Sequence, residues 1–318
     1  MIDGQLYYGK LLMLNKLCEL NSALLTGSSG FIGKYIIKDL KDNFIVSTLS
    51  RNAGDYTIHL EERVPNFKEK FEIVVHAAGK AHSLPKSKLE IQNFFRINVD
   101  GTNNLLEGLT KSGPPKYFVF ISSVSVYGID VGNNIDENNL LSAVDPYGAS
   151  KIQAERIVSD WCCLNNVVCT ILRLPLIVGS KPPGNLGDMI KGIRKGYYLN
   201  IAGGKAKKSM LLAEDVAKAI LKVAKIGGVY NLTDGYHPSF VELSNQISIQ
   251  LGVNKPMNMP LRLAKIIARF GDLLGNKSFF NTSKLNKIVS DLTFDDSKAR
   301  NAFGWNPTAV LKGFRINE

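Results

Sequence analysis

Cysteine is scarce in this chain of 318 residues: Cys18, Cys162, Cys163 and Cys169 are all there are. Their spacing sets up neither a disulfide framework nor a metal knuckle, which excludes a disulfide-stapled secreted scaffold. Long apolar runs are missing as well. No stretch of 18 apolar residues occurs, so no transmembrane helix is expected. Lys10 and Lys16 break the early apolar residues and no basic n-region precedes them, which argues against a cleaved secretory signal. Internal repeats, low-complexity tracts and linkers rich in Pro, Gly and Ser are absent too. His59, His76, His82 and His237 lack ligand-like spacing, so no metal is expected. Acidic residues are the minority of the charges, 28 against 39 basic, for a net +11. That balance attracts anions of any kind. The lysines are spread along the chain without a zinc finger or an aromatic ribonucleoprotein motif, so nucleic acid is not the expected partner. The expected compartment is a reducing cytoplasm.

What is present is an ordinary globular composition, 45% hydrophobic and 21% charged. Short apolar runs at Ala23–Thr26, Phe44–Leu49, Ile73–His76, Tyr117–Ser122 and Val167–Leu172 read as strands. Helix-length patterns lie between them, among them Gly33–Leu40, Phe94–Thr110 and Lys151–Trp161. Strands alternating with helices predict a doubly wound α/β fold with a parallel sheet, whose ligands bind beyond the carboxyl ends of the strands. After Arg173 the pattern loosens. Helical patterns follow at Asn185–Lys195, Glu214–Lys225 and Phe240–Leu251, with a basic amphipathic stretch over Leu261–Leu274. The expected division is an extension over 1–22, a dinucleotide-binding domain over 23–172 with 210–234 returning to it, and a smaller interleaved substrate-binding region over 173–209 and 235–318.

The first chemical signal is Thr26-Gly27-Ser28-Ser29-Gly30-Phe31-Ile32-Gly33, glycines three apart between a strand and a helix. Glycine is required where the chain turns tightly and where backbone approaches a pyrophosphate, and the helix start offers amides to the same anion. A nucleoside-triphosphate loop does not fit, because Gly33-Lys34 is followed by Tyr35. At the end of the second strand stands Leu49-Ser50-Arg51-Asn52, with no carboxylate for a ribose 2′-hydroxyl. Arg51 suits a 2′-phosphate, which favours NADP(H) over NAD.

The second signal couples Ser123, at a strand end, with Tyr147 and Lys151. The latter two are four apart and share one face of a helix. A phenol titrates near 10. A neighbouring ammonium and an oxidised nicotinamide would favour its ionised form, which makes Tyr147 a candidate acid/base for a hydroxyl/ketone pair.

With these residues the chain resembles the extended short-chain dehydrogenase/reductases, specifically the nucleotide-sugar epimerase/dehydratase group, from Ala23 almost to the end. Further matching segments are His76-Ala77-Ala78-Gly79, Asn98-Val99-Asp100-Gly101-Thr102, Asp145-Pro146-Tyr147-Gly148-Ala149-Ser150-Lys151, Arg173-Leu174-Pro175, and Asp295-Asp296-Ser297-Lys298-Ala299-Arg300 with Gly304-Trp305. The resemblance implies a Rossmann-type fold, a homodimer and a nucleotide-diphosphate sugar as substrate. It implies Tyr147 as acid/base, Lys151 on the nicotinamide ribose and Ser123 on the substrate hydroxyl. Gly27, Ser29, Gly30, Phe31, Ile32, Gly33, Ala77, Ala78, Gly79, Asn98 and Pro175 would line the dinucleotide. Lys80, Ser125, Asn185, Leu186 and Lys208 would meet the substrate, with Lys208 where relatives carry a diphosphate-binding arginine.

One departure narrows the chemistry. The 4,6-dehydratases of this group carry an Asp-Glu pair after the catalytic hydroxyl residue, and here Val124 and Ser125 stand in those positions. Neither is a general acid/base for water elimination. Hydride chemistry at the sugar C4 remains, either as a 4-ketoreductase using NADPH or as a 4-epimerase with retained NAD. The segment from His76 to Asn98 looks more like UDP-4-keto-6-deoxy-hexosamine reductases and related epimerases of polysaccharide pathways. A non-catalytic dinucleotide sensor is the remaining alternative.

Overall fold

The computed structural model describes residues 21–80, 83, 85, 87–274 and 280–316. The expected N-terminal extension up to residue 20, and His82, lie outside these. Seven strands make the central parallel sheet: β1 (Ser22–Thr26), β2 (Ile45–Ser50), β3 (Tyr56–Thr57), β4 (Ile73–His76), β5 (Tyr117–Ser123), β6 (Val168–Leu174) and β7 (Gly228–Asn231). Their order is β7-β6-β5-β4-β1-β2-β3, so the winding reverses between β1 and β4. Ala23 pairs in parallel with Val46 on one side and Ile73 on the other, and Ile73 with Tyr117. Ala23, Leu24, Leu25, Val74 and Val75 are fully buried, as expected of central strands covered on both faces.

The chain divides into two compact units. The first takes Met1–Ile121, Gln153–Ile171 and Ala217–Gly228; the second takes Ser122–Ile152, Leu172–Val216 and Val229–Glu318. Compactness therefore groups 122–152 with the C-terminal segments, a different division from the one the pattern of elements suggests. In the first unit the helix Gly33–Lys41 turns Gly33, Ile36 and Leu40 inward, the spacing of a one-sided helix. The single helix expected over Phe94–Thr110 is two helices, Lys88–Phe95 and Gly101–Ser112, joined by a π turn at Arg96–Asp100. Such wide turns concentrate at functional positions, and Asn98 sits in this one.

In the second unit the helix Gly184–Arg194 packs Leu186, Met189 and Ile193 with Met210, Leu212, Leu243 and Val310. The helix Phe240–Leu251 starts from a reciprocal cap between Ser239 and Glu242. The helix Leu261–Leu273 inverts the usual pattern. Ala264, Ala268 and Gly271 are buried, while Leu263, Ile266, Ile267, Phe270 and Leu273 are exposed. Among the described residues, no helix is long and apolar enough to cross a membrane.

Candidate active site

The glycine loop leaves β1 within the first unit. Gly27 has φ +72°, and a Cβ there would lie 2.6 Å from Ala78 N and 2.8 Å from Ala77 C. Only glycine lets the turn after β1 nest against the turn after β4. Gly27 N–H donates to Leu49 O (2.9 Å) and Gly30 N–H to Gly27 O (2.9 Å), which folds the loop on itself. Ser29 and Gly30 are exposed, and the helix that follows has Ile32 at its cap, with no side-chain oxygen on its first-turn amides. An uncapped helix start behind an exposed glycine turn fits the diphosphate of a dinucleotide.

Behind that loop runs a relay that the sequence reading did not assign. Ala78 N–H donates to Thr26 Oγ1 (3.1 Å), and Thr26 Oγ1 lies 2.6 Å from His76 Nδ1. On the other side of the ring, His76 Nε2 lies 3.0 Å from Thr102 Oγ1, and Thr102 Oγ1 donates to Asn98 O (2.7 Å). Thr102 has spent its proton on that carbonyl, so Nε2 is the donor and Nδ1 of the neutral ring accepts from Thr26. Asn98 closes the circuit with its side chain: Lys80 N–H donates to Oδ1 (2.6 Å), and Nδ2 donates to Lys80 O (3.3 Å). The turn Ala77–Lys80 is thus held at both ends. His76 is 2% exposed, closing the otherwise apolar strand Ile73-Val74-Val75. A lone polar residue ending such a strand is the signal that could have marked it. The Lys80 ammonium lies over the Phe94 ring, 5.0 Å from its centroid.

Arg51 is exposed just past β2. The carboxylate that follows, Asp55, is turned back on the strand: Thr48 N–H and Thr48 Oγ1 both donate to Asp55 Oδ2 (2.8 Å each). These bonds hold its carboxyl below the ordinary range.

In the second unit Ser123 ends β5 and caps the short turn Val124–Tyr127, its Oγ accepting from Ser125 N–H (3.2 Å) and donating to Ser125 Oγ (3.1 Å). The helix Pro146–Leu164 begins with proline in its first position. Asp145 caps it, accepting from Tyr147 N–H (3.1 Å) and Gly148 N–H (3.0 Å). A Cβ on Gly148 would meet Ser125 O at 2.7 Å, so glycine is what brings this helix start against the Ser123–Ser125 turn. The result is a hydrogen bond between the Ser123 hydroxyl and the Tyr147 phenol. Burial pushes that phenol above its ordinary value and the Asp145 charge adds to the rise, while Ser123 opposes it. Lys151 follows one turn on and is 6% exposed.

The remaining expected contacts take varied positions. Leu186 points into the core of the second unit, so only its backbone could meet a ligand; Asn185 beside it is exposed. The Lys208 ammonium donates to Lys287 O (3.0 Å). Burial lowers its pKa, against the pull of Asp291 and Asp130. Pro175 is half-buried between β6 and the strand Leu176–Val178. Arg173 is buried: Nη1 donates to Tyr127 Oη (3.1 Å) and the guanidinium lies 5.1 Å from that ring's centroid.

A parallel sheet that reverses between β1 and β4, with glycine-built turns at the ends of those two strands, defines the doubly wound dinucleotide-binding class of α/β proteins. The model of the NAD-dependent epimerase/dehydratase family matches residues 23–232, and the chain belongs to that family. It is 27% identical to UDP-glucose 4-epimerase of Vibrio cholerae, over 92% of this chain and 93% of that one. It is 26% identical to N-acetyl-alpha-D-glucosaminyl-diphospho-ditrans,octacis-undecaprenol 4-epimerase of Escherichia coli O157:H7, with the same coverage. The solved structure of RMD from Pseudomonas aeruginosa complexed with NADPH superposes with a TM-score of 0.69 at 22% identity. It covers 92% of this chain and 95% of that one, a likeness of fold.

Proposed function

We propose that this enzyme acts in the cytoplasm, as a homodimer, at C4 of a UDP-linked hexose or hexosamine, reducing a 4-keto sugar with NADPH. The observation that carries the reading is the Tyr147 phenol, hydrogen-bonded to Ser123 and held protonated by burial, in a site where Val124 and Ser125 replace an acid/base pair. Reducing a ketone consumes one proton per turnover, and a phenol that keeps its proton at neutral pH is suited to deliver it. When bound, the nicotinamide supplies the hydride transfer. Tyr147 Oη gives the proton to the sugar 4-oxygen, Ser123 orients that oxygen, and the Lys151 ammonium stabilises the phenolate left behind. Gly27, Ser29, Gly30, Phe31, Ile32, Gly33 and the turn Ala77–Gly79 would hold the dinucleotide, with Asn98 fixing that turn and Pro175 lying beside the ring. Arg51 would take a 2′-phosphate, since Asp55 is committed to Thr48. Lys80, Ser125, Asn185, Leu186 and Lys208 would meet the sugar nucleotide.

A second reading is a 4-epimerase that retains NAD, favoured by the names of the Vibrio and Escherichia relatives. The outward apolar face of Leu261–Leu273 favours extending that reading to a sugar diphosphate carried on a polyprenol, as in the Escherichia relative's name.

One experiment tests both: the purified protein is denatured, the released dinucleotide identified, and the native enzyme and Tyr147→Phe assayed on UDP-4-keto-6-deoxy-hexosamine and on UDP-hexoses. The reductase releases little dinucleotide and oxidises NADPH on the keto sugar. Near-stoichiometric NAD with interconversion of UDP-hexoses establishes the epimerase and removes the role of Arg51. Tyr147→Phe lowers turnover by about 10²–10⁴-fold with dinucleotide binding spared; undiminished turnover would sink the assignment of Tyr147.

A further inference from the structure

We propose that the outward face of the helix Leu261–Leu273 is a docking surface for an anionic lipid bilayer. A surface helix ordinarily turns its large apolar residues inward and its polar residues to water. Here Ala264, Ala268 and Gly271 form the packed seam, resting near Leu285, Ile201 and Met259. The large residues face out: Leu263 is 48% exposed, Phe270 65% and Leu273 83%.

At 3.6 residues per turn, the exposed Leu263, Ile266, Ile267, Phe270, Leu273 and Leu274 fall within an arc of about 120°. This is a continuous stripe rather than scattered side chains. Contiguous exposed apolar surface of this kind marks an interaction site.

Charge selects the occupant. Arg262, Lys265 and Arg269 are exposed and lie together along one flank of the stripe, within about 60° of one another. The helix has one carboxylate, Asp272, at the edge of the same flank, and it accepts from Thr282 N–H (3.1 Å) and from the Thr282 hydroxyl. The helix therefore carries three cations against one hydrogen-bonded carboxylate, on a chain of net charge +11. An apolar stripe bordered by cations is the form of a helix that lies in a membrane interface, with its stripe at the acyl boundary and its cations at lipid phosphates. A helix of 13 residues is about 20 Å long, enough to lie on a bilayer and too short to span one. A second copy of this helix would cover the stripe but would bring three cations and one carboxylate against the same three cations.

The test is co-sedimentation of the full-length protein with phosphatidylglycerol vesicles and with phosphatidylcholine vesicles. Docking is read without substrate, so it stands or falls apart from the catalytic reading. The protein pellets with the anionic vesicles and stays in solution with the neutral ones. Arg262→Gln with Lys265→Gln and Arg269→Gln weakens partitioning about a hundredfold, at roughly a tenfold loss or less for each charge. Ile266→Ser with Phe270→Ser abolishes it. All these positions are exposed, and unchanged circular dichroism and dinucleotide binding confirm that the variants fold. Failure to pellet with either vesicle overturns the proposal. So does equal binding to both lipids, or full binding by Ile266→Ser/Phe270→Ser. Loss of a dimer in that variant, without any vesicle binding by the parent, would assign the face to a second copy instead.

Discussion

In the first compact unit the groups suited to hold a diphosphate are backbone amides, and the side chains behind them, Thr26, His76, Thr102 and Asn98, form a chain of neutral hydrogen bonds. In the second unit the groups proposed to meet the substrate include ionisable side chains, Tyr147, Lys151 and Lys208, and the unit also holds the half-buried imidazole of His237. The contrast teaches how each half tolerates change. A backbone cradle depends on shape and is indifferent to pH but not to a single added methyl. Ionisable side chains add a state that follows the protons around them, while Gly148 shows that the placing of Tyr147 depends on shape as well.

The sharpest way to break this contrast is Gly27→Ala. The new Cβ would meet Ala78 N at 2.6 Å in a backbone of φ +72°. The expected cost is about 3 kcal/mol or more of stability, with at least a tenfold loss of dinucleotide affinity. Calorimetric melting and NADPH titration measure both, and a variant that melts and binds like the parent would show that shape is not what the loop depends on.

Next in size is Thr26→Val, which leaves Ala78 N–H and His76 Nδ1 without their shared hydroxyl. A buried polar group left unmatched costs about 1–3 kcal/mol. The melting temperature falls, dinucleotide affinity weakens several-fold with kcat retained, and Thr26→Ser restores both. Equal behaviour of the Val and Ser variants would mean the relay holds nothing in place.

The smallest effect belongs to the second unit. Burial lowers the His237 pKa below its ordinary 6.5, with Lys207 acting in the same direction and Asp234, Asp295 and Asp296 opposing. Ser209 Oγ accepts from Phe294 N–H (2.8 Å) and lies 3.0 Å from His237 Nδ1, an arrangement that suits the neutral ring. Its contribution is complete above pH 6.5 and is lost as pH falls from there through the lowered folded value. His237→Gln flattens that part of the melting-temperature profile and leaves dinucleotide affinity unchanged. An identical profile in the variant would remove His237 from the pH dependence.

Much of the first unit was legible because its requirements leave one residue type. The positive φ of Gly27 and the close approach of Gly33 to Gly27 O leave no room for a Cβ, so the glycine spacing announces the loop. Tyr147 and Lys151 were legible from a four-residue step. Their helix begins before the apolar pattern Lys151–Trp161, and the local mark of that start is Asp145-Pro146, a cap followed by a first-turn proline. The π turn was not legible, because nothing local marks where Asn98 reaches across to Lys80, 18 residues earlier. The amphipathic pattern of Leu261–Leu274 was visible, but not which face packs. Three small residues make a seam only when a neighbouring core lies close enough to accept them.

The wide turn at Arg96–Asp100 has a consequence for chain length. An α-helix advances about 100° per residue, so one residue removed here would swing every side chain on one side of the turn by that angle relative to the other. Asn98 would keep its neighbours in sequence and lose its bearing on Lys80. In this stretch the number of residues, as much as their identity, carries the information that aims the side chain.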